Sequence, residues 1–341
     1  MQFGLVLAGM TSRNEMPGTE AFDMAMAECK VAHETGFDCL GFANKYLAGP
    51  VHQFMSPLLM AAYAMARFPS MYVTTNVYLL PYDNPVKVAE EVATLDMMAP
   101  GKFLFGVGQG YRADEGRAFG IANNERGRRM AESIHAMRLL WQEAPATFKG
   151  EFWQFENADI GVKPVNRKGP PILVAADKAR TIDLIFERGG DYWYPSARCS
   201  KTFLREHMPV YRGALDRARR PFKGLPLIRD ICVSKDKASA EAMVKAAITD
   251  YLNRQSTWGQ PGEDYSVGFD ELKADRLILG SSEEAAEEII ALNREFGAGF
   301  VSFRIFHPGM DRQCALDVIR QMGDEVLPMV RKELGAGSIF D

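Results

Sequence analysis

Two histidines and one lysine are the side chains of this sequence best placed to move or hold a proton. Lys45 and His52 follow the second predicted strand, and His307 follows the last one. Histidine titrates near neutral pH and can serve as a general acid or base. Lysine does so only when burial lowers its pKa by several units, so Lys45 is a candidate for binding an anionic substrate or stabilising an oxyanion. The alternatives are structural or exposed histidines and a solvated lysine.

The segment ADKART, residues 176–181, has the features of an anion site. It passes from a predicted strand into the start of a helix, where free backbone N–H groups and the helix dipole favour negative charge. Lys178 and Arg180 add positive charge. The segment therefore predicts a phosphate site, and the alternative is an ordinary helix cap with solvated charges.

Other catalytic motifs are absent from the sequence. The run GVGQG, residues 106–110, lacks the final spaced glycine of the dinucleotide-binding pattern and is explained by a turn that needs a positive φ angle. There is no HExxH motif and no close cluster of His, Asp and Glu, so we expect no metal site. Without a GxSxG motif, a serine hydrolase has no support.

The elements that must position these residues are clearest in residues 71–110. Residues 72–80 are apolar, aromatic or β-branched without polar alternation, which predicts a parallel strand buried on both faces. Asn84 and Pro85 predict a helix start, and residues 102–107 predict the next strand. Together they form a right-handed βαβ unit.

Eight predicted strands alternate with helices along the chain. They cover residues 2–7, 37–43, 72–80, 102–107, 171–175, 191–194, 225–233 and 299–306. No linker-like tract separates two halves, so we expect one α/β domain that comprises residues 1–341. The alternation favours a single eight-stranded (β/α) TIM barrel rather than a doubly wound open sheet. Two insertions are predicted, a hairpin at 146–155 and a polar excursion at 255–275 that would act as a lid.

In such a barrel the residues that follow the strands share one face, which is where active sites lie. They are polar and aromatic in an otherwise apolar chain, as a pocket for a planar ligand requires. The set comprises Asn44, Lys45, His52, Tyr82, Asp83, Gln109, Tyr111, Arg112, Asp177, Lys178, residues 194–198 and His307.

Composition limits the partners. Forty basic and forty-four acidic residues leave a net charge of -4, which gives no reason to expect binding to nucleic acid or to an anionic membrane. The five cysteines are scattered, as in a reducing compartment. The apolar start has no basic flank typical of a signal peptide, and no stretch has the roughly twenty apolar residues of a membrane helix. We therefore expect a cytoplasmic protein.

The run NPVKVAEEVATLDMMAPGKFLFGVGQGY, residues 84–111, resembles the bacterial luciferase-like family of flavin-dependent monooxygenases. Three residue pairs and one triplet in this run occur in the order found in that family: Pro-Val, Ala-Glu, Leu-Asp and Gly-Lys-Phe. Further matches are GFDCL, PPILVAADKARTIDL and GSSEEAAEEIIALNREFGAGFVSFRIF. The resemblance covers most of the chain except residues 255–274, and it implies a barrel fold and an FMN cofactor.

The resemblance also assigns site residues. Asp177, Lys178 and Thr181 match the positions that hold the FMN phosphate, and Asn76 and Val77 match a non-proline cis peptide behind the flavin ring. In luciferases an arginine contacts the phosphate where this chain has Gln109, so Arg112, Lys178 or Arg180 would have to compensate. Tyr111 is a candidate lining residue of the same pocket, together with Tyr46 and Tyr82.

Lys45 stands where the luciferase catalytic histidine is found, so the luciferase reaction does not transfer unchanged. The implied function is oxygenation of a small organic substrate with reduced FMN and molecular oxygen. A separate NAD(P)H-dependent flavin reductase would supply the reduced FMN, and the barrel would form a homodimer. Two alternatives stay open: a deazaflavin-dependent dehydrogenase or reductase of the same superfamily, and a non-catalytic flavin-binding barrel.

Overall fold

The computed structural model describes residues 1–9, 11–50, 52–197, 199–256, 268–307 and 309–341, and for residues 185 and 252–256 it describes the backbone alone. The strands are β1 (Gln2–Leu7), β2 (Cys39–Phe42), β3 (Tyr72–Thr75), β4 (Tyr78–Leu79), β5 (Phe103–Gly108), β6 (Ala146–Lys149), β7 (Gln154–Ala158), β8 (Ile172–Val174), β9 (Tyr192–Trp193), β10 (Leu225–Val233), β11 (Leu277–Gly280) and β12 (Ala298–Arg304).

Helices connect most of these strands. They are α1 (Gly18–Glu34), α2 (Pro57–Arg67), α3 (Pro85–Met98), α4 (Ala113–Ala118), α5 (Arg126–Gln142), α6 (Ala179–Glu187), α7 (Lys201–Arg217), α8 (Lys237–Ser256), α9 (Phe269–Asp275), α10 (Ser282–Phe296), α11 (Arg312–Gln321) and α12 (Leu327–Leu334). A 3₁₀ turn covers Leu80–Tyr82, and a π-helical turn at Met322–Val326 joins α11 to α12. Across the described ranges, no helix is both long enough and apolar enough to cross a membrane.

One curled parallel sheet organises the fold. Nine strands follow each other in the order β11-β10-β12-β1-β2-β3-β5-β8-β9, and β4 adds a short ladder to β5. β9 lies next to β10, and in the described residues no ladder joins them. The parallel α/β architecture is as predicted, whereas the count of eight strands is not confirmed. The hairpin β6-β7 is antiparallel and separate, as predicted.

Local sequence signals account for several element ends. Asn84 Oδ1 accepts a hydrogen bond from Val86 N at 2.9 Å, which caps α3 as its sequence predicts. Ser281 and Glu284 form the predicted capping box of α10. Gly36 follows α1 with a φ of 85°, a conformation that favours glycine. β1 and β10 have the predicted bounds, and both are almost fully buried.

Other predictions need correction. The strand predicted over 72–80 is divided into β3 and β4, and the cis peptide between Asn76 and Val77 lies between them. The predicted loop after β5 contains helix α4, and β11 was not predicted. Most of the lid predicted at 255–275 lies outside the described residues. Its last part is the helix α9.

Replacing Gly106 by alanine should destabilise the sheet. A Cβ at Gly106 would lie 1.9 Å from the backbone oxygen of Thr75, so β3 and β5 would have to move apart. Overpacking of this kind costs about 1–3 kcal/mol. We expect a lower urea midpoint for Gly106→Ala than for the control Gly161→Ala, where a Cβ meets no atom within 4 Å. Equal midpoints would show that the two strands tolerate the separation.

Candidate active site

A cavity opens at the carboxyl ends of the parallel strands. The empty space within it, which includes part of the open solvent at its mouth, is about 1160 Å³. We call it the main cavity. Of the ten residues predicted as catalytic or cofactor-binding, six line it: Lys45, Asn76, Val77, Gln109, Tyr111 and Asp177. The other four of the ten, His52, Lys178, Thr181 and His307, do not line it. Four more residues predicted on the same face also line it: Asn44, Tyr194, Ser196 and Ala197.

The floor of the main cavity is formed around the cis peptide of Asn76 and Val77. A Cβ at Gly41 would lie 2.6 Å from Asn76 Nδ2, and a Cβ at Gly108 would lie 2.5 Å from Val77 Cγ2. The two glycines therefore make room for both side chains. The hydroxyl of Tyr194 donates a hydrogen bond to Asn76 Oδ1 at 3.2 Å, which fixes the amide.

The amide nitrogen of Asn76 is a buried donor at this floor. Within the described part of the chain, Nδ2 has no hydrogen-bond partner. A buried donor without an acceptor costs about 1–3 kcal/mol, so the arrangement fits a bound ligand that presents an acceptor here. The oxygen and nitrogen acceptors along the edge of a flavin ring meet that requirement.

Two neighbouring segments close one side of the main cavity. Gln109, after β5, extends to the first turn of α5, where its Oε1 lies 2.9 Å from the position of a Cβ at Gly127. Asp177 precedes α6, and Trp193 Nε1 donates a hydrogen bond to Ala176 O at 2.7 Å, which holds this segment against the sheet. Polar side chains from β5 and β8 therefore face the same space.

The predicted phosphate segment continues beyond the cavity lining. Lys178 is exposed, and Thr181 is half-buried in the first turn of α6. Thr181 N already donates to Lys178 O at 2.8 Å. The start of α6 thus lies beside Asp177 at the edge of the main cavity, which suits an anionic group at the end of a ligand rather than its ring.

The loop that carries Lys45 is held by two charged residues from the region after β5. Arg112 Nη1 donates to Tyr46 O at 2.8 Å, and Glu115 Oε1 accepts from Tyr46 N at 2.9 Å. Burial raises the pKa of Glu115, while the Tyr46 N–H and the Arg112 charge oppose that rise. Lys45 Nζ lies 5.4 Å from the ring centroid of Phe54. A cation is thereby placed at an aromatic wall of the main cavity.

An ion pair that sequence reasoning missed lies at another part of the wall. Asp230 and Arg304 are register partners on β10 and β12, and Arg304 Nη2 donates to Asp230 Oδ2 at 2.6 Å. Arg304 Nη1 also donates to Tyr251 Oη at 2.9 Å. Arg304 and Tyr251 line the main cavity, and both charged partners are buried. The sequence does carry a sign of this pair, because Asp230 and Arg304 each place a charged side chain within an otherwise mostly apolar predicted strand.

Comparison with known families decides the classification of this chain. A profile of the luciferase-like monooxygenase family matches residues 1–299 of the 341. The chain belongs to this family. This confirms the resemblance drawn from residues 84–111. The luciferase-like architecture also explains why polar residues follow strands β2, β5 and β8 at one end of the sheet.

Individual relatives of the luciferase-like chain fall into two groups. An F420-dependent glucose-6-phosphate dehydrogenase of Kineococcus radiotolerans is 27% identical over 259 residues, which is 73% of this chain and 74% of that protein. Among solved structures, monooxygenase RslO1 of Streptomyces bottropensis has a TM-score of 0.86 at 22% identity, covering 96% of this chain and 99% of the other. The oxygenating constituent of 3,6-diketocamphane monooxygenase from Pseudomonas putida, solved with FMN, has a TM-score of 0.80 at 19% identity, covering 97% and 98%. The two solved structures support the fold, and membership of the luciferase-like monooxygenase family supports an oxidoreductase.

The two histidines predicted as acid and base lie behind the wall of the luciferase-like cavity. His307 is buried, its Nε2 is 3.4 Å from Asp230 Oδ1, and burial lowers the pKa of its imidazole to about 4. His52 is buried as well. Both rings contact Tyr251, at centroid distances of 5.9 and 6.2 Å. Both histidines therefore contact the cavity-lining residue Tyr251, and neither of them lines the cavity itself. Within the described residues, no group of His, Cys, Asp and Glu could hold a metal ion.

Removing one partner of the Asp230–Arg304 pair should cost more than removing both. Asp230→Leu leaves a buried guanidinium without its carboxylate, which costs about 3–5 kcal/mol. The double variant Asp230→Leu with Arg304→Met replaces the pair by apolar side chains, and it should recover most of that loss. Urea unfolding of the wild type, both single variants and the double variant measures the coupling. Additive losses would show that the pair does not act as a unit.

Proposed function

We propose that this chain is an FMN-dependent monooxygenase that uses reduced FMN and molecular oxygen to oxygenate a small organic substrate. The observation that carries the proposal is the main cavity itself. It brings Asn76 and Val77 of the floor together with Gln109, Tyr111 and Asp177 at the rim. The start of α6 lies beside Asp177, so a ring site and an anion site adjoin.

The residues present fit a flavin. Val77 would pack against the ring, and the Asn76 amide would donate a hydrogen bond to an acceptor on its edge. The phosphate would lie at the start of α6, near Lys178 and Thr181. Bound reduced FMN supplies the electrons for the activation of oxygen. Apolar residues such as Phe54 and Ile228 would keep water away from the reacting atoms.

Charge at the lining favours FMN over a deazaflavin with an anionic tail. Among the described lining residues, the cations Lys45 and Arg304 are matched by the anions Glu115 and Asp177. Arg304 is further neutralised by Asp230. A tail with several carboxylates would need a more basic lining, whereas a single phosphate can be met by a helix start with adjacent cations.

The chain's own residues would then act on the substrate. Lys45 Nζ, at the Phe54 wall, would stabilise negative charge that develops on an oxygen atom at the reacting centre. Tyr251 would help to orient the substrate, because Arg304 and the two histidines behind it fix its ring and hydroxyl. Lys45 is therefore the proposed catalytic residue, and His52 and His307 are proposed positioning residues.

A second candidate is a deazaflavin-dependent dehydrogenase that transfers hydride without oxygen. It is favoured by the Kineococcus relative, which is similar over 73% of this chain. The same Asn76 and Val77 floor would accept the deazaflavin ring. The two candidates differ in the cofactor they select and in their need for oxygen.

The test is an anaerobic titration with reduced FMN, reduced riboflavin and a reduced deazaflavin, followed by exposure to air. We expect reduced FMN to bind about tenfold or more tighter than riboflavin, because charge-assisted hydrogen bonds to phosphate add about 1.5–3 kcal/mol. Bound FMN should release hydrogen peroxide more slowly than free reduced FMN. The double variant Lys178→Ala with Arg180→Ala should lose most of the preference for phosphate, and the control Lys149→Ala on the hairpin should keep it.

Three other results would each redirect the proposal. Selective binding of the deazaflavin, with oxygen-independent turnover of an alcohol, would support the dehydrogenase. Binding of oxidised FMN, with no oxygen uptake when an NAD(P)H-dependent flavin reductase is added, would indicate a non-catalytic flavin protein. Binding of none of the three reduced cofactors would reject a flavin function altogether. The oxygen-uptake measurement with added reductase also tests the proposed reductase partner, because uptake then depends on the reduced FMN that the reductase supplies.

We also propose that the sheet closes as a barrel between β9 and β10, which lie side by side, and that two barrels pair through α2 and α3. Leu59 and Tyr63 lie four residues apart on α2 and are 73% and 41% exposed. Met97, near the end of α3, is 53% exposed. The two helices are in contact, and large apolar side chains exposed on adjacent helices are typical of an interface between subunits.

The dimer predicts a specific change in mass. The variant Leu59→Glu with Met97→Glu should sediment as a monomer, because it places charges in an apolar interface, while the wild type sediments as a dimer. Ala291→Glu, on the exposed surface of α10, is the control and should stay dimeric. Sedimentation velocity over a tenfold range of concentration measures this. A monomeric wild type, or a dimeric double variant, would contradict pairing through these helices.

A further inference from the structure

A second cavity adjoins the main one. The empty space within it, which includes part of the open solvent at its mouth, is about 600 Å³, and it lies between the end of β1 and helix α1. Val6, Ala8 and Ala43 line both cavities, so the two spaces share a stretch of wall made of small apolar side chains. The rest of its described wall is largely apolar, with Met24, Met55 and Phe306 among its members. A chain-like ligand could therefore extend from the main cavity between these side chains.

One carboxyl group faces this apolar space. Glu28, on the same face of α1 as Ala21, Met24 and Ala25, lines the cavity and is only 6% exposed. Within the described residues, its carboxyl group makes no hydrogen bond or ion pair, and desolvation is the one cause of its altered titration. We call this space the Glu28 cavity.

The other polar groups of the Glu28 cavity are already paired. Gln53 Nε2 donates to Met16 O at 2.9 Å, and Gln53 N donates to Thr11 O at 2.9 Å. These bonds hold the loop that covers the cavity, and they leave Glu28 as the ionisable side chain of its described lining.

Burial raises the pKa of Glu28 to about 8, against an ordinary value of 4.5. The side chain is therefore a neutral acid at pH 7, and its O–H group is a hydrogen-bond donor. Its carboxyl oxygens are not among the fully enclosed side-chain atoms that lack a partner, so the group is exposed to the space of the cavity. A ligand oxygen in that space could accept a hydrogen bond from the neutral acid.

We propose that the Glu28 cavity is a substrate subsite that holds the far end of an elongated, mostly apolar molecule, whose carbonyl or hydroxyl oxygen accepts a hydrogen bond from Glu28. The reacting end of the same molecule would lie in the main cavity, past Val6 and Ala43. This inference rests on the proposed oxygenase function, and it names the class of substrate: a medium-chain ketone or alcohol rather than a charged molecule. An anion would meet no cation among the described lining residues.

The pH dependence of stability checks that Glu28 is buried as a neutral acid. The pKa of Glu28 is raised in the folded state, so its protonation stabilises the fold. This contribution to the free energy of unfolding is fully present below about pH 4.5 and is lost as the pH rises through about 8. The urea midpoint of Glu28→Gln should therefore exceed that of the wild type by more at pH 8.5 than at pH 5. A difference that does not change with pH would show that Glu28 is ionised or solvated, and it would overturn the proposal.

Calorimetric titration with 2-nonanone tests the subsite, in protein saturated with oxidised FMN and in protein without it. The wild type and Glu28→Gln, which keeps an N–H donor, should bind the ketone with affinities within about threefold of each other. Glu28→Leu should weaken binding about tenfold, as loss of one hydrogen bond predicts. Ala25→Phe should abolish it by filling the cavity. Octylamine and octanoate, with chains of similar length, should bind more weakly than the ketone.

The outcomes separate the subsite from the function. The affinity for FMN, measured by flavin fluorescence, should be the same in all four proteins, because Glu28 and Ala25 do not line the main cavity. Failure of the wild type to bind FMN would reject the proposed function alone. The subsite would be overturned if the wild type did not bind the ketone. It would also be overturned if the wild type, Glu28→Leu and Ala25→Phe bound the ketone with equal affinity. Both conclusions hold whatever the result with FMN.

Discussion

The space left by two glycines determines the shape of the site. Gly41 on β2 and Gly108 on β5 lie on either side of Asn76 and Val77, and any side chain on either glycine would occupy the room that these two residues fill. Because both neighbours lack a Cβ, the Asn76 amide and the Val77 side chain form a floor at the carboxyl end of the sheet. The buried donor on Asn76, the hydrogen bond from Tyr194 and the adjoining rim residues all depend on this arrangement.

Around this floor, the chain separates two kinds of environment. The main cavity carries balanced charges whose positions are fixed by other charges: Arg112 and Glu115 hold the loop of Lys45, and Asp230 holds Arg304. The Glu28 cavity is mostly apolar, and Glu28 is the ionisable side chain of its described lining. An oxygenase that transfers oxygen to a chain-like molecule needs both, a polarised reacting centre and an apolar groove that excludes water.

Short-range patterns predicted much of the fold. The buried run at β1, the Asn84 cap and the capping box at Ser281 depend on residues near each other in sequence, so they could be recognised without the structure. The grouping of Lys45, Gln109 and Asp177 followed from the rule that parallel strands end at one edge. The cis peptide at Asn76 has no local signal, and it was predicted only through the family resemblance.

Long-range contacts limited the prediction of the site. The Asp230–Arg304 pair joins residues 74 apart, so neither charge could be assigned a partner from its own strand. His307 was placed at the correct end of the sheet, but its burial is set by packing against Asp230 and Tyr251 from other elements. Sequence position therefore identified the right face of the fold, whereas tertiary packing decided which side chains reach the cavity.

A crystal structure of the protein with FMN is the most direct test of this account. It should show the flavin ring in contact with Val77, an acceptor on its edge within hydrogen-bond distance of Asn76 Nδ2, and the phosphate at the start of α6 near Thr181. FMN bound at another surface, or a main cavity without FMN in crystals grown at a saturating concentration, would contradict the central claim that this cavity is a flavin site.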